Sequence, residues 1–272
     1  MHLKLGRISF LILLVAFFCS PAKANPVQTC NVSASSTTST SCTLNATTVA
    51  AGDLLTCGVM WGNVISGETF AVSDPTNGTY TAITGTPLND TGPSNSLYGA
   101  WVKNSTSNAT LTITITMTGS GGSHTIRMGC YEYHSATGWP TNPVDTQAAS
   151  TCAAAFTCTT SSITPSVTGE LVFAAWIMQG TPAASSFTVS AGCAEQDAGG
   201  TAGTGWGSQT RATGADNENS GNTSTNCTIN WTTTTSGTAF YIVAFKPNAG
   251  SGIVSNLTVG GNAVVGGKVV VY

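Results

Sequence analysis

Two stretches of the chain echo each other: AGDLLTCGVMWG, from Ala51 to Gly62, and TGELVFAAWIMQG, from Thr168 to Gly180. Each places an acid directly after glycine and then runs into a short apolar segment. The echo continues in both directions. Upstream, Cys30 and Cys42 precede the first stretch, and Cys152 and Cys158 precede the second, each pair followed by a Thr-rich segment. Downstream, FAVSD (Phe70 to Asp74) parallels FTVSA (Phe187 to Ala191), and TLTITITMT (Thr110 to Thr118) parallels CTINWTTT (Cys227 to Thr234). TIRMGCYEY (Thr125 to Tyr133) likewise parallels TAFYIVAFKP (Thr238 to Pro247). A self-similarity of this length restricts the fold to two copies of one structural unit.

Within each copy the pattern is that of strands. TLTITITMT alternates strictly, no segment after the first 24 residues keeps a helical period beyond about two turns, and Gly, Pro, Asn and Ser clusters separate the apolar runs. The expected fold is all-β: a single jelly-roll-like β-sandwich over residues 25–247, built from two internally repeated halves at about 26–140 and 141–247. The joint, Trp139 to Gln147, holds two prolines and no long flexible linker, and each copy alone would expose a sheet face that the other can cover. A body of this size lets one core serve both copies.

The two ends read differently from the body. Residues 1–24 carry Lys4 and Arg7, a short apolar run and then Ala22-Lys23-Ala24, the signature of a secretory signal peptide. The expected location is therefore secreted, extracellular or on the cell surface, with no membrane span after cleavage. Eight cysteines follow the leader, an even number that fits disulfides in an exported chain. Pairing within copies is the simplest assignment: Cys30–Cys42, Cys57–Cys130, Cys152–Cys158 and Cys193–Cys227. At the other end, residues 248–256 read as a linker and residues 257–272 as a tail of Val and Gly-Gly hexads. The tail is expected to form a short β-hairpin or a β-helix-like piece. Val259, Val265, Val271 and the terminal Tyr272 are candidate contacts for assembly into a homo-oligomer, since a strand of this kind leaves an edge ready to pair.

Only 7% of residues are charged and the net charge is −3, so no basic stripe exists for phosphate contacts and nucleic acid is not an expected partner. No cofactor and no metal site is expected: there is no CxxC, and the only histidines after the leader are His124 and His134. Oxygen ligands for calcium cluster at Asp74 with Asn77, in DAGG and in ADNEN, but none has a spaced calcium motif. Glu132 and His134 share one strand face by alternation and are the best acid–base candidates. With no GxSxG, no HExxH and no ordered triad context, an enzyme is not expected. Asp53 and Glu170, at equivalent strand starts, and Asp74, in a turn, read as structural. Among the aromatics, Trp61, Trp101, Trp176 and Trp231 fall in strands and read as core. Trp139 and Trp206 lie in Gly-rich loops and, with Tyr133, are the candidate ligand-stacking residues.

The GDLL/GELV, EY and AFKP segments resemble uncharacterised β-sandwich modules of secreted bacterial proteins. That resemblance implies a fold and a location, and carries no catalytic residue. The LTVGGN and AVVGGK hexads resemble those of phage tail-fibre shafts and β-helical stalks. Taken together, the expected function is adhesion, or the binding of a glycan or other cell-surface component, by a non-catalytic module. The alternative is a structural subunit assembling through its tail, and a glycan-degrading enzyme stands third.

Overall fold

The computed structural model describes residues 26–62, 67–89, 95–119, 124–179, 187–190, 193–196, 212–218, 223–231 and 237–249. The leader, Trp206 and the whole of the hexad tail, including Val259, Val265, Val271 and Tyr272, lie outside the described residues. All regular structure among the described residues is β. The first half contains β1 (Gln28–Thr37), β2 (Ser39–Leu44), β3 (Leu54–Gly62), β4 (Thr69–Asp74), β5 (Gly78–Thr79), β6 (Thr81–Ala82), β7 (Leu88–Asn89), β8 (Asn95–Lys103), β9 (Leu111–Thr118) and β10 (His124–Tyr133). The second contains β11 (Val144–Cys152), β12 (Thr157–Thr159), β13 (Leu171–Gln179), β14 (Phe187–Ser190), β15 (Ala194–Gln196), β16 (Ala212–Glu218), β17 (Thr228–Trp231) and β18 (Gly237–Phe245).

Each half is a pair of antiparallel sheets. In the first, β1-β10-β3-β8-β6, with β7 also on β8, faces β2-β9-β4-β5; in the second, β11-β18-β13-β16-β15 faces β12-β17-β14. The strand orders correspond, β1-β10-β3-β8 to β11-β18-β13-β16 and β2-β9-β4 to β12-β17-β14, so the sequence echo is a duplication of topology. The two larger sheets then pack against each other, giving four layers and three cores. Leu55, Trp61, Ile113 and Ile115 belong to the first core and Val172, Trp176, Ile229 and Ile242 to the last. Between the halves lies a third core of Leu54, Trp101, Tyr131, Tyr133, Phe173, Tyr241 and Phe245. The β-sandwich is thus present in each half, but the core is divided, where the sequence suggested one core for both copies.

The hydrophobic pattern encodes the layer. LLTCGVMWG of β3 and GTAFYIVAF of β18 are buried at every position, because these strands are covered on both faces. LTITITMT of β9 alternates between buried Leu/Ile/Met and more exposed Thr, because its sheet meets water on one side. A continuous apolar run marks an inner strand here and strict alternation an outer one.

Close approach between the halves depends on two glycines that occupy matching places, Gly99 opposite Gly58 and Gly214 opposite Ala175. A Cβ on Gly99 would sit 2.6 Å from the Tyr241 ring, and one on Gly214 would sit 2.7 Å from the Tyr131 hydroxyl. Each half therefore lays a tyrosine over a glycine of the other, and the Tyr241 hydroxyl donates to the Cys57 carbonyl across the interface at 3.3 Å.

The four disulfides are Cys30–Cys42, Cys57–Cys130, Cys152–Cys158 and Cys193–Cys227, all within a half. Cys30–Cys42 and Cys152–Cys158 each tie an inner sheet to an outer one. Their positions are not equivalent, however: Cys30 lies opposite Cys130, and the residue in the corresponding place of the second half is Ala148, opposite Ile242. Cys57–Cys130 joins directly opposed residues of β3 and β10, where the second half has Ala174 and Ile242. Four disulfides fit an oxidising compartment. Among the described residues no helix is long and apolar enough to cross a membrane.

Candidate functional site

The densest group of titratable side chains forms where β3 begins and β10 ends. Antiparallel pairing sets Leu54 opposite Tyr133, which brings Asp53, just before β3, beside Glu132 and His134. Asp53 is 4% exposed and Glu132 fully buried. His134 Nδ1 lies 2.7 Å from Asp53 Oδ1, with the imidazole itself largely in solvent. Glu132 Oε2 accepts from Gln28 Nε2 at 2.7 Å, and Oε1 accepts from the Ala50 backbone N–H at 3.0 Å. Gln28 Oε1 accepts in turn from the N–H groups of Ala46 and Thr47. Burial, opposed by the Gln28 bond and reinforced by the neighbouring Asp53 carboxyl, raises the Glu132 pKa to about 7.

With its pKa raised to about 7, Glu132 titrates around neutral pH, but its geometry is that of a clamp. Glu132 lies beneath Gln28 and the 46–50 segment, with both oxygens engaged by the protein, so it offers no face to a substrate. The second half repeats the clamp with different residues. Glu170, in the Asp53 place, accepts from the Val167 N–H at 2.8 Å, Ala244 replaces Glu132, and Lys246, in the His134 place, donates to Ser166. Burial raises the Glu170 pKa as well. Sequence alternation brought Glu132 and His134 onto one face; it missed that Asp53 lies between them, which only the β3–β10 register reveals. The matching acids of the repeat, Asp53 and Glu170, were the available signal.

The aromatic candidates need correction. Tyr133 and Trp139 are each 3% exposed and belong to the core between the halves. Trp139 Nε1 donates to the Tyr133 carbonyl at 3.1 Å, and the Tyr133 hydroxyl donates to Asp216 Oδ2 at 2.6 Å. Their ring faces are covered because the joint segment folds into the gap between the two large sheets, so neither offers a stacking surface. Trp206 lies outside the described residues. Trp61, Trp101, Trp176 and Trp231 are all buried. Asp74 is likewise fully engaged: its carboxylate accepts from the Thr76 and Asn77 N–H groups, from Asn77 Nδ2 and from the Tyr80 hydroxyl, all within 2.8 Å. That is an Asx turn with a buried tyrosine, whose own pKa burial drives far above its usual range. Asp216, in ADNEN, is wholly buried and also accepts from Gln196 Nε2, while DAGG lies outside the described residues.

What remains on the surface is a lattice of hydroxyls. On the outer face of β2-β9-β4, cross-strand partners stand side by side: Ser39 with Thr116 at 3.3 Å, Ser41 with Thr114 at 2.8 Å, Thr43 with Thr112 at 3.1 Å and Thr69 with Thr118 at 2.6 Å. The outer sheet of the second half continues the theme with Thr159 beside Thr228 and Asn230 beside Ser190. Same-face neighbours in such a sheet repeat at roughly 7 Å along a strand and about 5 Å between strands. The face of β2-β9-β4 carries no charged side chain.

Fold and surface define a class: a disulfide-bonded, four-layer β-sandwich protein made by internal duplication. Comparison with protein-family models, with curated proteins and with solved structures returned no match for the chain.

Proposed function

We propose that the protein is a secreted, non-catalytic binding module that attaches to a hydroxyl-rich polymer of a cell surface or extracellular matrix, with a polysaccharide as the ligand class. The observation that supports this reading most directly is the uncharged Ser/Thr lattice on the outer face of β2-β9-β4. A flat array of paired hydroxyls exchanges hydrogen bonds with sugar hydroxyls over many small contacts, and ordering it costs little because cross-strand bonds already fix the rotamers.

The test is retention on insoluble cellulose, chitin and peptidoglycan, compared between the mature protein and a Thr114→Arg variant. Thr114 is half-buried on the outer face, so the change leaves the core untouched. Retention on at least one polymer, lost in the variant, is the expected result. Equal retention of the two proteins, or none on any polymer, removes the reading.

A further inference from the structure

A groove of about 370 Å³ opens at the end of β8, between Gly52 and Thr81, with Trp101, Lys103, Ser105 and Thr141 along it. Its volume lies in the range of small-ligand sites, roughly 300–1,000 Å³. Trp101 is only 7% exposed, held edge-on to Phe245 with ring centroids 6.3 Å apart, so the indole forms a fixed apolar wall. Gly52 keeps one side open, since nothing lies within 4 Å of where its Cβ would be.

Lys103 gives this groove a character that the rest of the described surface lacks. It is half-buried, and among the described residues it forms no ion pair. The other described cations are committed: Arg127 is buried and lies 3.6 Å from Met60 Sδ, and Lys246 donates to Ser166 at 2.8 Å. An ammonium placed beside a low-dielectric aromatic wall, in a chain with so few charges, attracts an anion more strongly than the same group in open water.

We infer that this groove binds the carboxylate-bearing sugar unit of an acidic glycan, with Lys103 on the carboxylate, Trp101 against the apolar ring edge, and Thr81, Ser105 and Thr141 within the groove for the sugar hydroxyls. This deepens the polysaccharide reading by naming a residue class, yet it uses a surface separate from the Ser/Thr lattice.

The experiment titrates the mature protein with a galacturonic acid trisaccharide and, separately, with a neutral galactose trisaccharide, following tryptophan fluorescence and calorimetric heat. The acidic sugar is expected to bind about tenfold more tightly or better, with affinity falling as salt rises. Lys103→Met removes the preference and Lys103→Arg keeps it. No binding of the acidic sugar, equal binding of both sugars, or a preference that survives in Lys103→Met overturns the inference. Thr114→Arg, which tests the outer face, leaves oligouronate affinity unchanged, so failure of either site is seen independently of the other.

Discussion

Replacing Glu132 by Gln is expected to change how stability depends on pH. In the folded protein the Glu132 carboxyl is buried, beside Asp53, and its pKa rises from 4.5 to about 7. The folded state therefore keeps a proton that the unfolded chain releases above its own pKa. The resulting stabilisation is fully present below pH 4.5 and is lost as pH rises through 7. At about 1.4 kcal/mol per unit, the contribution amounts to at most roughly 3 kcal/mol between those limits. Glu170, also raised by burial, adds a slope of the same sign. Urea denaturation of the disulfide-intact protein at pH 5 and pH 8 measures the effect: the wild-type midpoint should be higher at pH 5. In Glu132→Gln, which removes the ionisation, the difference should shrink without vanishing. Equal pH slopes in the two proteins, or a wild-type midpoint that rises with pH, would refute the argument that burial in the clamp raises the Glu132 pKa.

Other perturbations probe the interface and the buried aromatics. Gly99→Ala drives a methyl to within 2.6 Å of the Tyr241 ring and should lower stability by about 1–3 kcal/mol, seen as a reduced denaturation midpoint. Tyr133→Phe leaves the buried Asp216 carboxylate without one of its donors and should cost roughly 1–3 kcal/mol in the same assay. Trp139→Ala opens a cavity between the halves and should cost about 3–5 kcal/mol, while retention of the folded variant on polysaccharide stays unchanged at low temperature. Removing the Cys57–Cys130 bridge by a double Ala substitution should cost on the order of 2–4 kcal/mol, since the bridge closes the longest of the four loops.

Much of the architecture was written in the pattern of residues. The strand class followed from alternation in TLTITITMT, and the duplication followed from the echo of AGDLLTCGVMWG in TGELVFAAWIMQG. The largely apolar runs inside those two stretches, LLTCGVMWG and LVFAAWIM, already pointed to the layer order, because a strand covered on both faces lacks the polar alternation of one that meets water. What the chain could not reveal by itself was the partner of each second face. Trp139, in a Gly-rich loop, read as exposed; its burial depends on the packing of sheet against sheet, which no local spacing records. The same holds for Asp53, whose neighbour Glu132 is far away in sequence and close only through the β3–β10 register. The hydroxyl lattice is different: it was visible as the polar half of an alternating strand, and needed only the knowledge of which sheet lies outermost.

Retention on neutral polysaccharide is assigned to the outer Ser/Thr face, while the carboxyl cluster at Asp53 and Glu132 serves the fold. Hydrogen–deuterium exchange, with and without a retained polysaccharide supplied as a soluble fragment, tests it directly. With a neutral fragment, which lacks the carboxylate that the Lys103 groove selects, new protection is expected in β2 and β9, over Ser39–Leu44 and Leu111–Thr118, with none at the Asp53–Glu132 clamp. Protection centred on Asp53, Glu132 and His134, with β2 and β9 unchanged, would contradict it.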